Sequence, residues 1–226
     1  MSTPYSDADP FATPAVGNPA AASTLGFQAP RTAVVKALYV YLALCLVRAT
    51  LIVLLGSGTN DAQTLASRPG LAYPYGVVVL LAGATYVFTA VLWGMWVTRA
   101  ARNLRTMAPE AVFEFSPASH VWWYLVPVLA LWRPLEGMRE IDLVSRLSID
   151  IEDAPKPAPV GPWWALFLVE GILAWIGAAS QAWVIQAIAA GMACGLAWTA
   201  TRMIIAINET QRRWQAGLAR DLRNLS

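Results

Sequence analysis

The chain has 226 residues, of which 57% are hydrophobic and 13% are charged. An ordinary soluble domain carries about 25% charged and about 45–50% apolar residues, so the apolar residues here outnumber the core positions that one or two globular domains would offer. The surplus is expected to face lipid. The composition therefore favours an all-α integral membrane protein, and it excludes a secreted disulfide scaffold, a disordered regulator and a nucleic-acid-binding module.

The formal net charge is +2, from 16 Lys and Arg against 14 Asp and Glu, which is too near balance for a nucleic-acid-binding surface. Cys45 and Cys194 both lie inside apolar runs, where small buried hydrophobes are favoured over a disulfide or metal pair. With His120 as the sole histidine, the ligands for zinc, haem or a di-metal centre are too few. We therefore expect no metal, no cofactor and no nucleic-acid partner.

Residues 1–30 contain five prolines and no lysine or arginine, which predicts a disordered tail. Residues 31–211 form the predicted membrane domain, with an acidic, proline-rich linker at 148–162, and residues 212–226 form a predicted helical tail. Four apolar runs are long enough to cross a hydrocarbon core of about 30 Å as helices. These predicted spans are 33–55, 73–98, 163–179 and 183–207.

A further apolar run, Val121 to Trp132, has only 12 residues and contains Pro127, so it is too short for a spanning helix. We expect it to be re-entrant or interfacial, within a segment covering 117–147. Ser116 before it is a good helix start because its hydroxyl can cap free amide groups. Proline disfavours helical geometry at the residue before it, so Pro134 should break the chain at Arg133. The alternation of apolar and charged residues predicts a short amphipathic helix over residues 134–147.

The positive charges predict the orientation. If the four long runs span and the 121–132 run dips in and returns, 14 of the 16 lysines and arginines fall on one side, with Arg68 on the other and Arg48 within the membrane. The positive-inside rule makes the richer side cytoplasmic, so both termini are predicted to be cytoplasmic. A five-span model would move every cation from Arg133 onward to the outside, and we reject it for that reason.

Two charged residues lie inside predicted spans, where an ionisable group is costly and suggests a function. Glu170 lies about 10 Å from the inner edge, at a depth compatible with Arg202. A buried pair of Glu170 with Arg202 or with backbone would fix helix register, and proton or ion handling is the alternative. Arg48 is about 12 Å from Glu170 in depth, so the two are not paired; Arg48 is expected to reach the outer headgroups, or to line an anion or lipid-headgroup site.

Arg99, Arg102, Asn103 and Thr106 share one helical face beyond the second span. These cations could anchor the helix to anionic lipid. Alternatively, Asn103 and an arginine could hydrogen-bond the backbone of the re-entrant segment, because irregular backbone at membrane depth must be buried against protein. In the last span, Gly191 and Gly195 form a GxxxG pattern that favours close helix packing, more readily within the last hairpin than in a dimer.

The central block, Trp96 to Arg146, resembles a bacterial membrane family, the domain of unknown function 4328. The matching elements are "RAARNLRTM", "FEFSP" and "WWYLVPVLALWRPLEGMREI", and they cover about a quarter of the chain. The family often has a polar residue where this chain has Val128 to Ala130. The resemblance implies a multi-helix bacterial membrane domain and no known activity. The candidate residues of this block are Arg99, Arg102, Asn103, Arg105, Ser116, Pro127, Trp132, Arg133 and Pro134.

The sequence contains no phosphate-cradling loop, nucleophile elbow or catalytic triad pattern, so we expect a protein without enzymatic activity. The favoured function is a scaffold or accessory subunit of the bacterial inner membrane. It would contact the lipid bilayer and a membrane-protein partner or a second copy of itself. The alternative is a small transporter or channel-like protein that uses Glu170, because discontinuous helices and intramembrane acids also occur at transport sites. A lipid-handling enzyme is the third class, with Asn103, Ser116 and His120 as a thin polar set.

Overall fold

The structure is a computed structural model that describes residues 29–56, 62–149 and 155–224. All regular elements in these ranges are helical. Almost all of the predicted N-terminal tail, and residues 150–154 of the predicted linker, lie outside the described residues. The helices are α1 (Ala29–Leu55), α2 (Ala62–Ser67), α3 (Pro69–Met107), α4 (Ser119–Trp122), α5 (Arg133–Leu147), α6 (Val160–Ser180) and α7 (Trp183–Asn224).

Four helices, α1, α3, α6 and α7, are long and apolar enough to cross a membrane, as the sequence predicts, and we call them the long helices. Two of them extend well beyond the predicted spans. Helix α3 has 39 residues and ends at Met107, just before Pro109, and α7 has 42 residues and continues to Asn224. The predicted spans end at 98 and 207 because the apolar runs end there, but the helices continue because no proline or glycine at those positions ends them.

The long helices lie side by side in the order α3, α1, α7, α6. Helix α1 packs against both α3 and α7, and α7 packs against both α1 and α6, whereas α3 and α6 are not backbone neighbours. We call the end at which α1 begins and α3 ends the basic end, because Arg99, Arg102 and Arg105 lie near it. Here α5 packs against α3, α6 and α7. The core at this end includes the fully buried Val97, Ile141, Met203, Ile204 and Ile207.

Residues 119–132, the broken segment, do not form a spanning helix. They comprise α4 and two short 3₁₀ turns, Trp123–Leu125 and Leu129–Leu131. Between the turns Val126 is extended, with φ −99° and ψ 106°, as expected for a residue that precedes a proline. The proline-broken run predicted from the sequence is therefore present, and a fifth spanning helix is not.

Helix α5 begins at Arg133, with Pro134 in its first turn, close to the predicted amphipathic helix. Its buried face differs from the predicted apolar stripe. Leu147, a predicted stripe member, is 73% exposed, whereas Asp142 and Ser145 are buried. The buried face follows the helical repeat of three and four residues, and Asp142 and Ser145 are tolerated there because both make hydrogen bonds.

The hairpin of α6 and α7 turns at Gln181, which has a left-handed conformation with φ 54°. A Cβ at Gly177 would lie 3.1 Å from the backbone nitrogen of Gln186, so glycine permits this close approach. The GxxxG prediction is half right. A Cβ at Gly195 would contact Leu166 of α6 at 3.7 Å, whereas one at Gly191 would meet nothing within 4 Å. Residues four apart share a helical face only approximately, and Gly191 is exposed on α7 whereas Gly195 packs against α6.

Candidate functional site: the basic end and the polar cluster

The broken segment bridges the two outer long helices. The indole Nε1 of Trp93 on α3 donates to the Tyr124 hydroxyl at 3.3 Å. From the other side, Trp164 Nε1 on α6 donates to the Leu131 carbonyl at 3.2 Å. Because α3 and α6 are not backbone neighbours, these two hydrogen bonds close the gap between them at the basic end.

Aromatic rings fill the space behind this bridge. Trp93 stacks on Trp163 with centroids 5.2 Å apart, and Trp164 stacks on Phe167 at 5.0 Å. Tyr124 meets Phe167 edge to face at 6.4 Å. Such arrangements add packing energy beyond the burial of area. We call these five residues the aromatic layer, and it joins α3, the broken segment and α6 at the basic end.

The loop between α3 and α4 is held by charged side chains. Glu140 of α5 accepts a hydrogen bond from the backbone N–H of Glu114 at 2.7 Å. Arg105 of α3 donates to the Phe115 carbonyl at 3.3 Å. Arg133, at the start of α5, pairs with Glu114 and with Glu136. The loop is thus tied to α3 on one side and to α5 on the other.

The two arginines of this loop also lie over aromatic rings. The Arg105 guanidinium carbon is 5.2 Å from the centroid of Phe113, and that of Arg133 is 5.4 Å from Phe115 and 6.0 Å from Trp123. Planar guanidinium groups suit this combination of hydrogen bonding and stacking. The "FEFSP" and "WRP" elements of the sequence therefore meet in space.

His120 is 4% exposed and lies between α5 and the Phe115 ring, whose centroid is 5.4 Å away. Its Nε2 is 3.5 Å from a carboxylate oxygen of Glu140, and its Nδ1 has no partner among the described residues. Burial and the nearby Arg105 lower the pKa of His120 to about 4, so the ring is neutral at pH 7. Burial raises the pKa of Glu140.

A buried hydrogen-bond network joins three helices at the basic end. Asn103 of α3 donates to Gln211 Oε1 of α7 at 2.9 Å. Gln211 Nε2 donates in turn to the Ala100 carbonyl at 3.3 Å and to Ser145 Oγ of α5 at 3.2 Å. All three side chains are buried. A satisfied buried network fixes one relative position of its helices, because displaced polar groups would lose their partners in a low-dielectric interior.

Two further side chains order the ends of this region. Asp142 accepts a hydrogen bond from the Ala158 backbone N–H at 3.2 Å and pairs with Arg146 at 3.2 Å, which ties the chain before α6 to α5. Ser116 accepts from the Ser119 backbone N–H at 3.1 Å. Ser116 therefore caps a turn as the sequence suggests, although α4 begins three residues later.

The structure places the other predicted residues of the central block differently. Asn103 is buried against Gln211 and does not reach the broken segment; Arg105, outside the predicted face, binds loop backbone instead. Arg99 and Arg102 are exposed. Pro127 and Trp132 are exposed on the broken segment, whereas Pro134 is fully buried.

Farther from the basic end, one ring contact and several electrostatic interactions link polar side chains of all four long helices, which we call the polar cluster. Glu170 lies within electrostatic range of Arg48, Tyr41, Cys45 and Tyr86. The Tyr41 and Tyr86 rings are 5.9 Å apart. Cys194 of α7 also lies within electrostatic range of Cys45. The members are Tyr41, Cys45 and Arg48 of α1, Tyr86 of α3, Glu170 of α6 and Cys194 of α7.

The described ion pairs do not include the predicted pair of Glu170 with Arg202, and the cation within electrostatic range of Glu170 is Arg48. Tyr41, Cys45 and Arg48 follow one another along one face of α1, at spacings of four and three residues. Arg202 lies eight residues from Cys194 along α7, about 12 Å nearer the basic end, and is exposed.

Sequence reasoning missed three residues of the basic end, Gly137, Ser145 and Gln211, and it did not place His120 between α5 and the Phe115 ring. A sole histidine beside a helix start was a usable signal for His120. Gln211 follows an apolar span, and its position at the start of a polar tail predicts an exposed side chain, so the sequence does not indicate its burial. In the described ranges no group of three or more His, Cys, Asp or Glu side chains could hold a metal ion.

Residues 72–210 match the family model described as Domain of unknown function (DUF4328). The chain belongs to this family. The match begins in the first turn of α3 and ends at Thr210 in α7, so it contains the broken segment and both of its tryptophan ties. Helix α1, which supplies three members of the polar cluster, lies outside the matched residues of this DUF4328 protein. No curated protein and no solved structure matches the chain.

Proposed function

We propose that this DUF4328 protein is a non-enzymatic scaffold or accessory subunit of the bacterial inner membrane, with four spans and both termini in the cytoplasm. The apolar surface of the long helices supports membrane insertion, because side chains such as Val87, Phe88 and Trp175 are more than half exposed and suit contact with lipid. The excess of arginine at the basic end supports its cytoplasmic orientation.

One observation carries the scaffold proposal. Buried polar side chains of the basic end form hydrogen bonds that hold α5, charged side chains tie the loop before the broken segment to α3 and α5, and the exposed charged side chains there are mainly arginines. Arg99 and Arg102 of α3, Arg139 of α5 and Arg212 of α7 are exposed. A rigid support with a cationic surface is suited to docking an acidic partner.

Position-specific crosslinking in native membranes tests this proposal. A photo-crosslinking residue at Arg102 should capture a stoichiometric membrane-protein partner or a second copy of the chain, whereas the same residue at Tyr73, on the opposite end of α3, should not. Replacing Arg99 with glutamate should abolish the product, and replacing it with lysine should preserve it. Equal crosslinking from both ends, or a chain that stays monomeric, contradicts the scaffold.

Labelling of single cysteines tests the orientation independently. In intact cells, an impermeant thiol reagent should label Ser67→Cys, at the end opposite the basic end, and should leave Ser148→Cys unlabelled until the membrane is permeabilised. The native Cys45 and Cys194 would be replaced by serine and checked for background labelling. Labelling at Ser148 in intact cells contradicts the proposed topology.

The polar cluster favours a second candidate function, a small transporter or channel that uses Glu170. An acid and a base close together between spanning helices are typical of ion or substrate pathways. Against it stands the aromatic layer, which fills the basic end of the gap between α3 and α6 with stacked rings. Counterflow transport into liposomes that is lost in Glu170→Gln and kept in Glu209→Gln would favour transport over the scaffold.

A further inference from the structure

The broken segment carries a row of exposed apolar side chains. Trp122 near its start is 63% exposed, and Trp132 at its end is 40% exposed. Between these two indoles, Leu125, Val128 and Leu131 are each more than half exposed. We call these five residues the apolar face. So many large apolar side chains within residues 122–132 form a contiguous stretch that marks a contact surface for lipid or protein.

Both ends of the broken segment are held near the basic-end edge of the long helices. A Cβ at Gly94 of α3 would lie 3.3 Å from Val121 Cγ1, and Gly94 is five residues, about 7.5 Å, before Arg99. At the other end, the Leu131 carbonyl is bonded by Trp164, which is four residues, about 6 Å, inside α6. Helix α6 has 21 residues, just enough to cross the hydrocarbon core, whose midplane is about 15 Å deep. The segment therefore enters and leaves through the same leaflet.

The backbone of the broken segment suits an apolar environment. Irregular backbone cannot face lipid unless its polar groups find partners within the protein. The shortest hydrogen bond here runs from the Ala130 N–H to the Val126 carbonyl at 2.7 Å, and Pro127 carries no N–H that would need a partner. The carbonyls that accept hydrogen bonds from protein donors are those of Val126, Val128, Leu129, Leu131 and Trp132. Water would make these internal bonds unnecessary, whereas lipid requires them.

The apolar face continues the surface that the neighbouring long helices offer to lipid. On α3, Val91 and Met95 flank the Trp93 tie and are 57% and 59% exposed. On α6, Val169 lies just beyond the Trp164 tie and is 43% exposed. Because hydrogen bonds from both tryptophans hold the broken segment, its side chains lie at the level of these lipid-facing residues.

We infer that the apolar face is a lipid-contact surface in one leaflet, seated among the glycerol groups and upper acyl chains of phospholipid at the basic end. Trp122 and Trp132 lie at the boundary with the headgroups, where indoles are favoured. Leu125, Val128 and Leu131 enter the upper acyl region. The segment anchors the basic end without reaching the bilayer midplane. This contact goes beyond the scaffold function and does not use the arginines of that proposal.

Depth-dependent fluorescence quenching tests the contact. A bimane label is attached to Leu125→Cys or to Val128→Cys in the full chain, with Cys45 and Cys194 replaced by serine, and the protein is placed in phosphatidylcholine nanodiscs. The quenchers are phosphatidylcholine with a doxyl group on the fifth or the twelfth acyl carbon, and iodide in water. Both labels should be quenched about twofold more strongly by the fifth-carbon lipid than by the twelfth, and least by iodide.

Two further positions calibrate the measurement. Val87→Cys is the matched control, because Val87 is 63% exposed and Leu125 is 68% exposed. Val87 lies twelve residues, about 18 Å, from Arg99, so its label should be quenched most by the twelfth-carbon lipid. Ala216 is exposed on α7, nine residues, about 14 Å, beyond Ile207, and a label at Ala216→Cys should be quenched most by iodide.

A second measurement uses the unmodified chain. A phosphatidylcholine with a diazirine near the top of its acyl chain is photolysed in the same nanodiscs, and the adducts are located by mass spectrometry. Adducts should include residues 122–132 and should be absent from residues 212–224. The native side chains are then all in place, so the result does not depend on the labelled variants.

Three quenching results would overturn the inference. Iodide quenching at Leu125 and Val128 as strong as at Ala216 would place the apolar face in water. Dominant quenching by the twelfth-carbon lipid, as at Val87, would make the segment re-entrant to the midplane. Quenching by none of the three would mean that a second copy or another protein covers the face, and an absence of adducts in residues 122–132 would agree with it. Crosslinking at Arg102 is measured separately, so the scaffold proposal stands or falls on its own.

Discussion

Replacing Gly137 with alanine tests the contact between α5 and the broken segment. A Cβ at this position would lie 2.6 Å from His120 Nδ1 and 3.2 Å from His120 Cε1. Ordinary contact begins at 3.4 Å, so the ring would have to retreat by about 0.8 Å, the difference between 3.4 and 2.6. It has little room, because Glu140 lies 3.5 Å from its Nε2 and the Phe115 ring lies 5.4 Å away between centroids.

Two effects of opposite sign set the magnitude. Overpacking a buried site costs about 1–3 kcal/mol, whereas alanine is favoured over glycine inside a helix by about 1 kcal/mol. Because Gly137 and Glu140 lie against the two nitrogens of the buried His120 ring, we expect overpacking to outweigh the helix preference, with a net loss of about 1 kcal/mol in the free energy of unfolding. Unfolding in mixed micelles with a denaturing detergent, followed by tryptophan fluorescence, measures this loss.

Gly217→Ala provides the matched control. Gly217 also lies inside a helix, but a Cβ there would meet nothing within 4 Å, so this variant should gain up to about 1 kcal/mol. In a His120→Ala background the ring is absent, and Gly137→Ala should no longer destabilise. The reasoning is refuted if Gly137→Ala is as stable as Gly217→Ala, or if its effect is unchanged when His120 is removed.

Three further predictions concern the basic end. As the pH falls from 6.5 towards 4, the stability advantage of the native chain over His120→Asn should shrink, because the unfolded state binds a proton at this histidine while the folded state, with a pKa of about 4, does not; an unchanged difference in unfolding titrations would contradict the buried neutral ring. Gln211→Leu should lower the free energy of unfolding by about 2–4 kcal/mol, since Asn103 keeps a buried amide without its partner, and adding Asn103→Leu should recover part of the loss in the same assay. Trp164→Phe removes the donor to the Leu131 carbonyl, so amide hydrogen exchange in residues 123–132 should become faster while exchange in α5 stays unchanged. Exchange in residues 123–132 that is the same in the variant and the native chain would contradict the bridge.

The sequence predicts features that depend on local chemistry. The four spans follow from apolar runs of sufficient length, and the break at Pro127 follows from the geometry that proline imposes on its neighbour. The continuation of α3 through Asn103 and Thr106 and the helical tail after residue 211 follow as well, whereas the hydrogen bond between Asn103 and Gln211, 108 positions apart in the chain, does not. Such a pairing exists only once the helices are packed.

The site residues divide in the same way. Arg105 and Arg133 stand out because they flank the aromatic and proline residues that they hold in place. The electrostatic influence of Arg48 on Glu170 does not follow from the sequence, because residue counts give depth along one helix, whereas the offset between two helices is set by tertiary packing. The buried face of α5 was misassigned at Leu147 because apolarity alone does not reveal that Asp142 finds the Ala158 backbone N–H.

Helix α7 runs without interruption for 42 residues, about 63 Å, and contains no proline at which it could bend. It carries Cys194 in the polar cluster and Gln211 in the network at the basic end, about 25 Å apart. Such a rod tilts or slides as one body. Any rearrangement between the long helices that moves α7 at Cys194 must therefore either strain the three hydrogen bonds of Gln211 or carry α5 along.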